Sequence, residues 1–424
     1  MDNIHISKAP PLRVVIPFYA TGALFFLIFN IMLLISANDL MGHYFSPHLL
    51  AIVHTAVLGW GTMVIFGAAY ELLPVLCENR LYSDRLAMAS YVFLLIGIVQ
   101  LVPAFWLFRA GSLMIAGGGC VFIAVFFYVI NVMLTAGNCQ DHSLHQKFLV
   151  SSALWLLLTV TLGLCLAINL RYPFMSRNHL DIMKLHAHAG IAGWFLQLIT
   201  GVSVKLVPMF LVAKATKTRW IKAAWFFQNV GLMGLLIDGH LSNSSGRDIL
   251  YAAICGTGII CWMYFLNDVR LHRIKKRIDF PMKLTMSSNF FLVAALIMIP
   301  VAHYGSQTKW TIAYGILLFI GWISSIIMGQ TFKTLPFIIW NEHYNSLTGK
   351  ADIPLPASLY AEILLKYQNY FYFISMAVLL AGILSAQILM IQVALLMLIV
   401  TALLYVANVF KIILHKPLNN HVHR

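Results

Sequence analysis

Apolar runs of about 20 residues follow one another along the whole chain, separated by short polar stretches. A helix of about 20 residues rises about 30 Å, which is the thickness of a bilayer core. The runs do not alternate between apolar and polar residues, so helices are the structure that pairs every backbone group in lipid. The expected spans are 14–36, 50–75, 86–108, 112–135, 148–170, 186–212, 220–238, 249–267, 286–303, 310–335, 367–386 and 388–412.

Three of these runs carry one motif without a gap. The segments 54–74, 188–208 and 316–336 share Gly-Trp, then an isoleucine, a glycine and a closing proline. They begin about 130 residues apart, and each interval holds four spans, so the copies are parallel. We therefore expect an all-α integral membrane protein whose single transmembrane domain, 1–424, forms three pseudo-threefold arcs of four helices. The arcs cover about 14–135, 148–267 and 286–412, with a cytoplasmic loop or short surface helix at 337–366.

Within each copy the tryptophan, the second glycine and the proline lie on one stripe of the helix. In the first copy they are Trp60, Gly67 and Pro74, each seven residues from the next, which is close to two turns. Small residues on such a stripe let helices approach closely in a membrane. We expect the proline to end the helix at its inner end.

The composition places the chain in a membrane. Hydrophobic residues make up 61% and charged residues 10%, whereas soluble domains carry about a quarter charged residues. The net charge of +14 alone would suggest nucleic-acid binding, but the distribution of the charges among the loops favours a membrane protein. One end of the spans then holds 22 of the 28 Lys and Arg residues. The positive-inside rule puts both termini in the cytoplasm, in what we expect to be a bacterial inner membrane, with lipid rather than nucleic acid as partner.

The cysteines give little information. None of the six is spaced as Cys-x-x-Cys, so neither a disulfide framework nor a thiolate metal site is indicated. We expect each to be an apolar filling residue. They are Cys77, Cys120, Cys139, Cys165, Cys255 and Cys261.

Two histidines occupy the same repeat position, about one turn inside the outer end of their spans. They are His54 and His188. Neutral imidazole binds haem iron, copper and zinc, so two such rings could share one centre. His186 lies on a different side of the same helix and could serve a separate centre, while His240 stands at the outer end of the seventh span. The alternative is that the repeat histidines hydrogen-bond to backbone or water.

A second repeat position carries ionisable residues near the inner ends of the spans. These residues are Glu71, Lys205 and Lys333. A lysine suits the C-terminus of a helix, whereas a glutamate there needs a cationic partner. We interpret the three as a structural ion cluster, with a proton entrance as the alternative.

Two amides also lie within spans. Gln197 and Asn131 are expected to form interhelical hydrogen bonds rather than to bind a substrate.

The twelve spans in three arcs, with the histidine that opens HTAVLGWGTMVIFGAAYELLP, resemble subunit I of the haem-copper oxidases. The cytochrome cbb3 and nitric-oxide-reductase branch is the most similar, and the chain is also similar to NnrS-type membrane proteins. The resemblance implies that His54 is an axial ligand of haem b. It also implies a role in electron transfer or in nitric oxide or dioxygen chemistry, with copper as a further cofactor and a cytochrome c-type or other respiratory subunit as a partner.

Two departures from the family's histidine pattern predict that the binuclear centre is incomplete. The tenth span has Ile316 at the repeat position and no histidine within it, and the seventh span offers only His240. Two alternatives stay open. One is a transporter or chaperone for copper, haem or a small solute on the same fold, and the other is a structural subunit of a respiratory assembly.

Overall fold

The computed structural model describes residues 9–138, 143–213, 217–242, 246–350 and 352–417. Within these residues, twelve helices are long and apolar enough to cross a membrane. They are α1 Leu12–Ile35, α2 Pro47–Cys77, α3 Asp84–Trp106, α4 Ser112–Gly137, α5 Leu144–Arg171, α6 His179–Leu211, α7 Thr218–Leu241, α8 Asp248–Leu271, α9 Phe280–Tyr304, α10 Thr308–Leu347, α11 Glu362–Ser385 and α12 Ile388–Ile413. The prediction of an all-α protein with twelve candidate spans is confirmed.

Packing groups the helices into two compact units. The first contains Met1–Glu71 and Asp279–Arg424, and the second contains Leu72–Ile278. In the first unit α1 packs on α2 and α12, α9 packs on α10, and α11 packs on α12. In the second unit α3 packs on α4, α4 on α5, α5 on α6, and α7 on α8. The arrangement of three arcs stays a prediction.

The three repeat helices share an unusual backbone. Each contains eight consecutive residues of π-helix, at Thr55–Thr62 in α2, Ala189–Leu196 in α6 and Ile316–Ile323 in α10. In a π-helix each N–H bonds the carbonyl five residues earlier, so the backbone is wider than in an α-helix. Such segments are rare and occur frequently at functional sites. The repeated sequence therefore produces a repeated departure from regular α-helix.

The first glycine of each copy lies directly beneath a side chain of the preceding helix. A Cβ atom added at Gly59, Gly193 or Gly321 would lie 2.6, 2.7 and 2.8 Å from Phe25, Trp155 and Phe291, respectively. Real Cβ atoms do not approach other atoms so closely. Glycine at these positions lets each repeat helix come close to its neighbour, as the small-residue stripe predicts.

The second glycine of each copy, eight residues further along the helix, makes the same kind of close contact. The groups that fill the space of its missing side chain are Phe18 over Gly67, Phe148 over Gly201, and the Pro281 carbonyl and Thr285 over Gly329. Each pair of neighbouring helices is thus in contact along two consecutive stretches of the stripe.

The repeat prolines do not end their helices, so that expectation is wrong. The helices continue past Pro74 to Cys77, past Pro208 to Leu211 and past Pro336 to Leu347. Proline lacks an N–H, but the residues after it still donate to carbonyls four residues earlier, so a proline near the end of a helix leaves the next turn intact. The stretch 337–366, expected to be a loop or a short surface helix, is helical up to Leu347 and again from Glu362.

The cysteine prediction is wrong at one position. Cys77, the last residue of α2, is disulfide-bonded. Sequence spacing detects only cysteines that are close along the chain, whereas a disulfide joins cysteines that folding brings together. Cys139 lies outside the described residues. The other four cysteines are free, as expected: Cys120, Cys165, Cys255 and Cys261.

The glycine contacts give a direct test in the second unit. Gly193→Ala should destabilise the protein by about 1 to 3 kcal/mol, because the new methyl group overlaps Trp155. Gly119→Ala is the matched control, since no atom lies within 4 Å of a Cβ there. It should be neutral, or stabilise by up to about 1 kcal/mol through helix propensity. Thermal unfolding in detergent measures both variants, and equal stability of the two would contradict the close packing.

Candidate functional site

His54 has a defined ring orientation. It is the last α-helical residue of α2 before the π-helical segment, and its ring is half-buried. Its Nδ1 lies 2.7 Å from the carbonyl oxygen of Leu50, one turn earlier. A carbonyl can only accept, so Nδ1 carries the proton in this hydrogen bond and Nε2 carries the lone pair. This is the tautomer in which a histidine ligates a metal through Nε2.

His188 has the same arrangement in the second copy. It immediately precedes the π-helical segment of α6, it is half-buried, and its Nδ1 lies 2.8 Å from the Lys184 carbonyl oxygen. The Lys184 side chain forms an ion pair with Asp248. The two repeat histidines therefore share their position, their hydrogen bond and their tautomer.

His186 points elsewhere. Its Nδ1 lies 2.9 Å from the carbonyl oxygen of Thr159 on α5, and a Cβ atom at Gly163 would lie 2.9 Å from its Cε1. The ring thus packs against α5, whereas His188 bonds to its own helix. The structure gives the two histidines different partners, and His186 joins α6 to α5.

The other predicted ligand is more exposed. His240 lies on the surface at the end of α7 in the second unit. His54 belongs to the first unit, and His186 and His188 belong to the second. Within the described ranges no three His, Cys, Asp or Glu side chains come together in a way that could hold a metal ion.

The predicted ion cluster is arranged differently. Glu71 is buried, and its Oε2 has no hydrogen-bond partner among the described atoms. Lys333 forms its ion pair with Asp279, at 2.8 Å, and Asp279 also caps the start of α9 through the Met282 N–H. Lys205 is exposed in the second unit. The structure does not join Glu71 to Lys333. Asp279 lies outside the repeat segments, so the comparison of copies missed it.

A line of buried hydroxyl groups follows α10 in the first unit, and the sequence analysis did not identify it. The pairs are Tyr19 with Thr334 at 3.0 Å, Tyr405 with Thr331 at 2.9 Å, Tyr372 with Ser325 at 2.6 Å, and the Trp60 indole with Ser324 at 3.1 Å. Ser324, Thr331 and Thr334 are spaced seven and three residues apart, which puts them near one face, and this was the available signal. These bonds connect α1, α2, α11 and α12 to α10.

The predicted hydrogen-bonding role of both amides is confirmed. Asn131 of α4 accepts a hydrogen bond from the Ser83 N–H at 3.1 Å and donates to the Ser83 carbonyl at 2.9 Å. Gln197 of α6 accepts at Oε1 from Ser151 of α5 at 2.5 Å and from Asn229 of α7 at 3.3 Å. The amides thus connect neighbouring helices of the second unit.

The orientation of the Gln197 amide is set by Trp155, through a hydrogen bond to Asn229 and a second one from Asn229 to Gln197. The Trp155 indole donates to Asn229 Oδ1 at 2.9 Å, and an indole N–H cannot accept. The Asn229 amide nitrogen must then face Gln197, whose Oε1 accepts from it. Gln197 Nε2 is left buried with no hydrogen-bond partner among the described atoms. An acceptor is needed there, because a buried unpaired donor costs about 1 to 3 kcal/mol.

Comparisons with known proteins add no relationship. No protein-family model matches the chain, and no curated protein matches it. The interpretation of the site therefore rests on the residues described above.

The ion pair of Lys333 can be tested by a double-mutant cycle with Lys333→Met and Asp279→Asn. We expect a coupling of about 1 to 2 kcal/mol in unfolding free energy, because both side chains are largely shielded from solvent. The control is a cycle on Lys184 and Asp248, where the lysine is 43% exposed and water weakens the attraction. If the first coupling does not exceed the second, Asp279 is not the stabilising partner.

Proposed function

We propose that this chain is a haem-binding membrane protein with a haem-copper oxidase subunit I-like fold. His54 and His188 are the residues that would hold the haem, each through Nε2. Bound haem would supply reversible one-electron chemistry and a position for nitric oxide or dioxygen. A complete binuclear centre is not part of this proposal. In an electron-transfer role the partner would be a cytochrome c-type or other respiratory subunit.

The hydrogen bond at Nδ1, made in the same way in both copies, carries this proposal. Metal-ligating histidines almost always donate their other ring N–H to a carbonyl or a carboxylate, which fixes the ring and raises its basicity. His54 and His188 both donate to the carbonyl four residues earlier. The third copy forms its π-helical segment with Ile316 at this repeat position. The imidazoles are therefore not required for the backbone shape of the repeat.

Haem fits this donor set better than a bare metal ion does. The porphyrin supplies four nitrogen ligands, so haem iron needs only one or two from the protein. A single oriented imidazole meets that need at His54, and another meets it at His188. Copper or zinc requires more protein donors for each ion, so copper remains a secondary proposal based on the same rings.

The test is the haem content and the reduced-minus-oxidised spectrum of the purified full-length protein. Haem should be present in the unmodified chain, should fall in His54→Ala and in His188→Ala, and should be absent when both are replaced. His240→Ala is the matched control, because that ring is exposed at a helix end. Each single variant reports on the ring of one unit, because His54 belongs to the first unit and His188 to the second.

A colourless, folded protein would contradict the haem proposal. So would a spectrum that is unchanged in the double variant. Size-exclusion profiles of each variant show whether a loss of haem is simply a loss of folding.

A second candidate, binding of a small polar solute, is favoured by the amide network of the second unit. Gln197 presents an oriented and unpaired N–H group in the interior, beside the side chains of Ser151 and Asn229. An acceptor oxygen of a solute would satisfy it. The haem measurement separates the two candidates, because a solute-binding protein without haem gives no difference spectrum.

We further propose that the protein lies in a bacterial inner membrane with both termini in the cytoplasm. The excess of Lys and Arg at that end of the spans supports this orientation. The disulfide at Cys77 stands at the same end, although disulfides are typical of the oxidising compartment. Charge bias acts on the insertion of every span, so we give it the greater weight.

Single cysteines introduced into a cysteine-free chain test this orientation. An impermeant maleimide added outside intact cells should label Arg109→Cys and leave Arg277→Cys unlabelled until the membrane is opened. Both positions are exposed, and they lie at opposite ends of the helices of the second unit. The reverse pattern would invert the topology.

A further inference from the structure

Basic side chains are concentrated at one end of the second unit. The end of α8 contributes Arg270, and the stretch that joins α8 to α9 contributes Arg273, Lys275, Lys276 and Arg277. The start of α7 and the residue before it add Lys217, Arg219 and Lys222. The only carboxylate within 217–222 and 262–278 is Asp268. It is buried and lies 3.7 Å from Lys217 and 3.3 Å from His272. Within these two ranges the basic residues named here outnumber the carboxylates by eight to one.

The basic stretch is held in a defined position. Arg273 pairs with Ala213 in a short antiparallel bridge. The Ile274 N–H donates to the Val212 carbonyl at 3.0 Å, and this places the stretch against the end of α6. The charges are consequently presented on a fixed surface and not on an extended chain.

An apolar stripe leads away from these charges along α8. Ile260, Tyr264 and Leu271 are 53%, 57% and 66% exposed, and their spacing puts them on one helical face about 16 Å long. Tyr264 stacks on Trp220 with ring centroids 5.3 Å apart, and the Arg219 guanidinium lies 5.5 Å from the centroid of the Trp220 ring. Tryptophan and tyrosine beside cationic side chains are typical of the membrane interface.

We propose that this end of the second unit binds an anionic phospholipid. The basic side chains contact the phosphate, and the apolar part of the lipid lies along the α8 stripe, beside the Trp220 and Tyr264 pair. A nucleic acid or a phosphorylated peptide would match the charges but not the apolar stripe that continues from them. This inference does not depend on haem binding.

The experiment uses the purified full-length protein and native mass spectrometry with phosphatidylglycerol or phosphatidylcholine. The test variant combines Arg270→Gln, Lys276→Gln and Arg277→Gln, which are all exposed positions. The matched control combines Arg109→Gln, Arg171→Gln and Arg177→Gln, which removes the same charge from the opposite end of the unit. The unmodified protein and the control should retain phosphatidylglycerol. The test variant should bind it at least about tenfold more weakly.

A second variant examines the apolar half of the site. Tyr264→Ser shortens the exposed stripe without changing the charge, and it should also weaken phosphatidylglycerol binding. Inorganic phosphate should not displace the lipid. The proposal is overturned if phosphatidylcholine binds equally well, if the two triple variants behave alike, or if inorganic phosphate competes fully.

Discussion

The close approach between each repeat helix and the helix before it is the constraint on which the rest of this structure depends. A glycine in each copy lies beneath Phe25, Trp155 or Phe291, with no room for even a methyl group. The tryptophan that follows this glycine is then enclosed, being at most 1% exposed in all three copies. The π-helical segments occur at the same place, and His54 and His188 stand immediately before two of them. The helix contact thus fixes the position of the candidate ligands.

The spans, the three copies and their close contacts were predictable because they follow from periodicity and residue size. The behaviour of the prolines was not, because a proline withdraws only its own N–H, and the apolar pattern does not show whether the residues after it keep their helical bonds. The residues beyond Pro336 stay helical as far as Leu347. The π-helical segments were also missed, since a change from four-residue to five-residue bonding leaves the apolar pattern almost unaltered.

The partners of polar groups were the least predictable part of the site. Repeat alignment grouped Glu71 with Lys333, yet the lysine pairs with Asp279, which a comparison of copies cannot reveal. The orientation of Gln197 depends on Trp155 through Asn229, a chain of bonds across three helices. A sequence pattern indicates the face of a helix on which a residue lies. It does not indicate which side chain from another helix meets it there.

The third copy serves as an internal comparison for the two histidines. Ile316 occupies the repeat position of His54 and His188, it is buried, and it begins the same π-helical segment. An isoleucine in lipid or protein interior has no polar atom to satisfy, whereas a half-buried imidazole has two nitrogens that lose water. The carbonyl of Leu50 or Lys184 satisfies one nitrogen of each ring. Since the backbone forms equally well with an isoleucine, the π-helical segment alone does not require an imidazole at this position.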